Sequence, residues 1–210
     1  MNLPNKITLS RIILVPIFLL FVVPVPDSVM NLALFEGLTS FFLEYNEFVR
    51  STGLIIGSII FIIASATDGV DGYLARKNNL VTSMGKFLDP IADKLLVTAS
   101  LLVLVQVGTI STWSATIIIG REFIVTGLRL VAAADGQVIA ASKLGKLKTV
   151  FQMISIPFAL LDNWPIKLIP GFENVPVYQV LFLIAVVLTV VSGIDYILKN
   201  KHVIAAKGKM

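Results

Sequence analysis

The sequence predicts an all-α integral membrane protein with six transmembrane helices, and three observations carry that reading. Of 210 residues, 56% are hydrophobic and only 14% charged, with a mean hydropathy of +0.90, too little polar surface to cover a soluble globule. The apolar residues gather in runs over 7–25, 54–66, 95–107, 113–134, 150–161 and 177–194. Each approaches the roughly 20 residues a span needs once its flanks are counted. Basic residues, finally, flank these runs on alternate sides. Residues 1–210 therefore read as a single transmembrane domain.

The first run holds Arg11 and Pro16 and has no small-residue cleavage site, so it reads as a retained helix rather than a signal peptide. Run 54–66 is too short to span alone, and its helix is expected to continue through Asp68 and Asp71 to Arg76. A short turn over 77–84 returns the chain into a third helix carrying Gly85, Asp89 and Asp93, with a distortion expected at Pro90. The fourth helix follows an uncharged connection near 108–112. A basic string over 141–149 is expected to precede the fifth, and a lysine-rich tail follows the sixth. Residues 27–50, acidic and aromatic, read as an interfacial helix with no function assigned.

Orientation comes from the bases. Lys6 and Arg11, then Arg76, Lys77 and Lys86, then Lys143, Lys146 and Lys148, then Lys199, Lys201, Lys207 and Lys209 all fall on one side. The opposite loops carry mainly acids: Asp27, Glu36, Glu44 and Glu47 against Arg50, and Asp162 and Glu173 against Lys167. The positive-inside rule puts both termini in the cytoplasm. The formal charge of +4 does not point to nucleic acid, because the bases are spread over membrane-flanking loops with little aromatic interleaving; anionic lipid head groups are the natural partners. With no cysteine, a disulfide framework and thiol catalysis are excluded. His202, the one histidine, lies in the basic tail and takes no catalytic role.

Chemistry concentrates in the string D-x2-D-G-x2-A-R-x8-G-x3-D-x3-D from Asp68 to Asp93. On helices, Asp68, Asp71, Gly72 and Ala75 fall at i, i+3, i+4 and i+7, and Gly85, Asp89 and Asp93 at i, i+4 and i+8, one face each. A rise of about 1.5 Å per residue puts Asp71 level with Asp89, and Asp68 level with Asp93, if the two helices form an antiparallel pair. Four carboxylates inside the membrane boundary are costly unless cations hold them, and an all-oxygen set suits two hard divalent ions, Mg²⁺ or Mn²⁺. Two ions about 3.5 to 4 Å apart clamp a phosphoryl group. Ion pairs with Arg76, Lys86 and Lys94 are the plain alternative, and three bases do not account for four stacked acids.

The string matches, at all eight fixed positions, the signature of the CDP-alcohol phosphotransferase family, and the chain is identified as a resembling member. The resemblance implies six transmembrane helices behind a short amphipathic N-terminal segment, a homodimer, and displacement of CMP from a CDP-activated lipid by the hydroxyl of a second substrate. It implies further that Asp68, Asp71, Asp89 and Asp93 hold two divalent ions, Asp68 and Asp89 bridging both, and that Asp93 also accepts the proton of the attacking hydroxyl. Gly72, Ala75, Arg76, Thr82 and Gly85 resemble the positions binding the CDP-diacylglycerol nucleotide. Arg76 alternatively completes the helix dipole. In the opening stretch Asn5 and Thr8 either touch the nucleotide or cap the helix.

Two further strings, 120–129 and 141–149, resemble the bacterial branch of that family whose acceptor is sn-glycerol 3-phosphate. The implied phosphate site is Arg129 with Lys146, helped by Arg121, Lys143 or Lys148. Lys143 and Lys148 read equally as snorkelling positive-inside lysines, and Arg121 with Glu122 as a buried pair. An unpaired Arg129, deep in its run, would be costly. Acceptors such as an inositol phosphate, serine or phosphatidylglycerol are the nearest alternatives. A membrane prenyltransferase would separate its acidic motifs onto distant helices, and a divalent-cation transporter would place them near mid-membrane. The expected location is a bacterial cytoplasmic membrane, with the site facing the cytoplasm.

Overall fold

A computed structural model describes the backbone over residues 3–77, 83–134, 136–137, 139–140 and 142–201; the side chains of residues 3–8, 68–77, 83–90, 93 and 134 lie outside the description. Among the described residues the fold is all helical, with no strand. The helices are α1 (Leu3–Val22), α2 (Asp27–Met30), α3 (Thr39–Phe48), α4 (Leu54–Lys77), α5 (Ser83–Gln106), α6 (Thr112–Ala134), α7 (Lys143–Leu160) and α8 (Val177–Lys199). A 3₁₀ segment (Ala33–Leu38) leads into α3, and a π-helical turn (Val49–Gly53) joins α3 to α4.

Six of the described helices run 18 to 24 residues. By length and composition two helical stretches, Ala33–Thr67 and Val177–Lys199, are apolar enough to cross a membrane, while Leu9–Val22 and Lys94–Gln106 are apolar but shorter. Charge explains part of the difference: α6 carries Arg121, Glu122 and Arg129, and α7 opens on three lysines within six residues.

The chain divides into two compact units, residues 1–103 and 104–210. In the first, α1 packs against α4. The buried positions of α1 are Arg11, Val15, Phe18 and Val22, spaced i, i+4, i+7 and i+11 as one helical face requires. Gly57, Phe61 and Ala64 form the matching buried face of α4. Two glycines set the approach: a Cβ at Gly53 would run into the Phe21 carbonyl oxygen, and one at Gly57 into the Val22 side chain. Beyond α1, where Pro24 and Pro26 cannot extend a helix, α3 takes up the orphaned backbone. Tyr45 donates to the carbonyls of Leu20 at 2.7 Å and Val23 at 3.1 Å. Asn46 bonds both backbone groups of Val25, accepting at 2.7 Å and donating at 2.9 Å.

In the second unit α8 packs against both α6 and α7. Its buried stripe is Phe182, Ala185, Thr189, Ser192 and Tyr196, that of α6 includes Ile118, Val125 and Ala132, and that of α7 includes Lys148, Gln152, Ser155 and Ala159. The Ser142 side chain caps α7, accepting from the Gly145 amide at 3.0 Å.

Several expectations change. The opening residues form no separate amphipathic element; from Leu3 the backbone is continuous with the first apolar run. Arg11, counted among the bases that open the first helix, is 2% exposed within the α1 stripe. Lys143, Lys146 and Lys148 lie in the first turns of α7 rather than before it, because Ser142 starts the helix ahead of the apolar run. Residues 27–50 hold α2, the 3₁₀ segment, α3 and the start of the π turn instead of one helix.

Candidate functional site

The acidic motif falls on two continuous helices. Asp68, Asp71, Gly72, Ala75 and Arg76 lie in the last turns of α4, which runs past its apolar part to Lys77 as expected; Gly85, Asp89 and Asp93 lie in the first half of α5. The buried face of α4, followed from Gly57 through Phe61 and Ala64, next reaches Asp68 at i+4. On α5 the buried Val103, Ser100 and Leu96, followed backwards, lead to Asp93 and then Asp89. By helical spacing, Asp68 on α4 and Asp93 and Asp89 on α5 fall in register with those buried positions. How the side chains of Asp68, Asp71, Asp89, Asp93, Gly72, Ala75, Arg76, Gly85, Asn5 and Thr8 meet lies outside the described residues, as does Thr82 altogether. Asn5 and Thr8 sit in the first two turns of α1. The donor set itself fits hard divalent cations: four carboxylates, no thiolate, and the sole histidine far along the chain in the tail.

The second cluster is described in side-chain detail. Arg121 on α6 donates from Nη1 to Glu122 Oε1 at 3.2 Å and from Nη2 to Ser192 Oγ of α8 at 3.2 Å. Lys148 of α7 pairs closely with the same Glu122 oxygen. Arg121 runs between two glycines of different helices, since a Cβ would come within 3.1 Å of Nη2 at Gly145 and within 3.1 Å of Cγ at Gly193. Its Nε is buried with no hydrogen-bond partner among the described residues. Glu122 thus links a cation of α6 to one of α7.

Lys148, whose side chain is 2% exposed, is a core cation and not a snorkelling lysine. The Arg121–Glu122 pair is present and extends to a third partner. Arg129 is exposed and is satisfied by Tyr196, donating from Nε to its hydroxyl at 3.2 Å, with the guanidinium carbon 5.6 Å from the ring centre. Lys143 and Lys146 are exposed. The structure therefore brings Arg121 and Lys148 together through Glu122. Sequence reasoning gave no part to Ser192, Gly193 or Tyr196, although their spacing from Thr189 puts small and polar residues on the inward face of an otherwise aliphatic helix.

An apolar all-helical chain with an acidic motif carried on two helices and a cationic cluster on three others has the parts of a membrane enzyme acting on phosphorylated substrates. The family model for CDP-alcohol phosphatidyltransferase matches residues 1–191, and the chain belongs to that family of phosphatidyltransferases. It is 49% identical over 199 residues, 95% of each chain, to the Bacillus subtilis CDP-diacylglycerol–glycerol-3-phosphate 3-phosphatidyltransferase. A Rickettsia typhi protein of the same name is 34% identical across 93% of this chain and 94% of its own. A probable phosphatidylglycerophosphate synthase of Mycobacterium tuberculosis is 36% identical across 93% of this chain and 80% of its own.

Proposed function

We propose that the chain transfers the phosphatidyl group of CDP-diacylglycerol to sn-glycerol 3-phosphate, yielding phosphatidylglycerophosphate and CMP. The observation that carries this reading is the 49% identity across 95% of the chain to a relative so named. Support comes from the cationic side chains gathered on α6 and α7, Arg121, Arg129, Lys143, Lys146 and Lys148, which suit an acceptor that brings its own phosphate.

In this reading Asp68, Asp71, Asp89 and Asp93 hold two divalent cations, which supply electrostatic stabilisation of the phosphoryl oxygens when bound. Asp93 takes the proton from the acceptor hydroxyl as that oxygen bonds to the lipid-side phosphorus. The bond from that phosphorus to the CMP oxygen breaks, and CMP leaves as the anion. Arg76 offsets phosphate charge on the donor, while Gly72, Ala75 and Gly85 leave room for the nucleotide beside Thr82, Asn5 and Thr8. Arg121 and Lys148 face the acceptor phosphate from the buried side, and the exposed Arg129, Lys146 and Lys143 screen it from solvent.

The same reading makes the chain a homodimer with six spans, α1 and α4 to α8, both termini cytoplasmic and the active site on the cytoplasmic face of a bacterial membrane. The test is CMP release by purified protein given CDP-diacylglycerol and Mg²⁺ with glycerol 3-phosphate, serine, inositol phosphate or phosphatidylglycerol offered separately. Release with glycerol 3-phosphate alone, abolished by EDTA and restored by Mg²⁺, is the expected result. Turnover with another acceptor only would reassign the second substrate.

A further inference from the structure

A positive charge lies in the α1–α4 seam where hydrocarbon is expected. Arg11 is 2% exposed, at one end of a stripe otherwise made of Val15, Phe18 and Val22. Burying a guanidinium costs several kcal/mol unless an opposite charge is near, and the register of the two helices indicates which charge that is. The clash partners of Gly53 and Gly57 are Phe21, Val22 and Phe18, so α1 and α4 run antiparallel with Val22 beside Gly57. Eleven residues from Val22 is Arg11; eleven residues from Gly57 in the opposite sense is Asp68. At a common rise both lie about 16 Å along the seam. The alternative pairing of Phe18 with Gly57 moves Arg11 by only one turn, to the level of Ala64, and an arginine's length spans that difference. Asp68 is also the next position on the face formed by Gly57, Phe61 and Ala64.

We propose that Arg11 is a positioning residue for the acidic motif: it supplies a fixed positive charge at the level of Asp68 that offsets the motif's negative charge when no cations are bound. This rests on the reading of the motif as a divalent-cation site. Four carboxylates outnumber the three bases of the same stretch, Arg76, Lys86 and Lys94, and the uncompensated charge would drive α4 and α5 apart. A built-in guanidinium lets the two helices keep their inward faces between turnovers. Because cations do the same work when present, Arg11 matters most to the metal-free protein.

The test is thermal unfolding of the detergent-solubilised full chain in EDTA and in saturating Mg²⁺, for wild type, Arg11→Met, Arg11→Lys, Asp68→Asn and the double variant Arg11→Met/Asp68→Asn. Wild type is expected to melt higher in Mg²⁺. Arg11→Met should lose stability chiefly in EDTA, widening the gap between the two conditions by about 5 °C or more. Arg11→Lys should keep the wild-type gap, and the double variant should recover part of the EDTA loss, since it removes both charges. Equal destabilisation of Arg11→Met in EDTA and Mg²⁺ would make Arg11 a packing residue only and overturn the proposal while leaving the metal reading intact. If wild type ignored Mg²⁺, the metal reading and this inference would fall together. Should Arg11→Met not fold in EDTA, the double variant decides: recovery supports the charge pairing, and its absence overturns it.

Discussion

Glu122 accepts from both Arg121 and Lys148 on one oxygen, so a single carboxylate fixes a cation on α6 and another on α7. Breaking a buried pair of this kind costs about 3–5 kcal/mol, because a charge is stranded. Lys148→Ala should therefore lower the unfolding temperature, whereas Lys146→Ala, at an exposed position, should change stability by less than about 0.5 kcal/mol and raise the glycerol 3-phosphate KM about tenfold. Thermal unfolding and acceptor kinetics on the two variants separate these effects; a Lys146→Ala enzyme with wild-type KM would remove Lys146 from the acceptor site. Asp93→Asn should depress kcat far more than it weakens CDP-diacylglycerol binding, and equal losses would leave Asp93 a ligand alone. Lysines two residues apart differ here because α7 turns by about 100° per residue: Lys148 reaches Glu122 of α6 while Lys146 is exposed. The sequence lists the charges, but their assignment to core or surface needed the first residue of α7, which Ser142 decides.

Helix packing by close-set glycines links these charges to their supports. Gly193 and Gly145 leave the slot that Arg121 fills, so Gly193→Ala should push the guanidinium from Ser192 and cost about 1–3 kcal/mol of stability by overpacking, with a raised acceptor KM. Gly127, on α6, offers the control: among the described residues nothing lies within 4 Å of a Cβ placed there, and Gly127→Ala should stabilise by up to about 1 kcal/mol through helix propensity alone. Thermal unfolding of the two variants should thus move in opposite directions. The helices themselves were legible: the apolar runs located α4, α6 and α8 to within a few residues, and the argument that run 54–66 needs its acidic extension describes α4 as found. Less legible was the segment after α1. Its short helices depend on Tyr45 and Asn46 reaching residues more than twenty positions back, a tertiary cause with no local signature.

At the scale of the whole molecule, the six long helices and the sidedness of the basic residues together imply which connections meet the cell exterior. Because the chain has no cysteine, single substitutions report this directly. Ser28→Cys and Glu173→Cys should react with an impermeant maleimide on intact cells, and Gln137→Cys only after permeabilisation; labelling of Gln137→Cys from outside would invert the topology. The family was readable from eight positions in one string. The inward charges were not, because Arg11 and Lys148 look in sequence like any positive-inside residue, and only the packed face of α7 separates Lys148 from the exposed Lys146. The hydrogen bonds that α3 extends to Leu20, Val23 and Val25 also govern where the chain tolerates interruption. An epitope inserted near residue 24 would uncap α1 and detach α3, and protease should find no ready cut there. The same epitope at residues 139–140, between the end of α6 and the Ser142 cap, displaces no such bond among the described residues and offers the natural place for a tag.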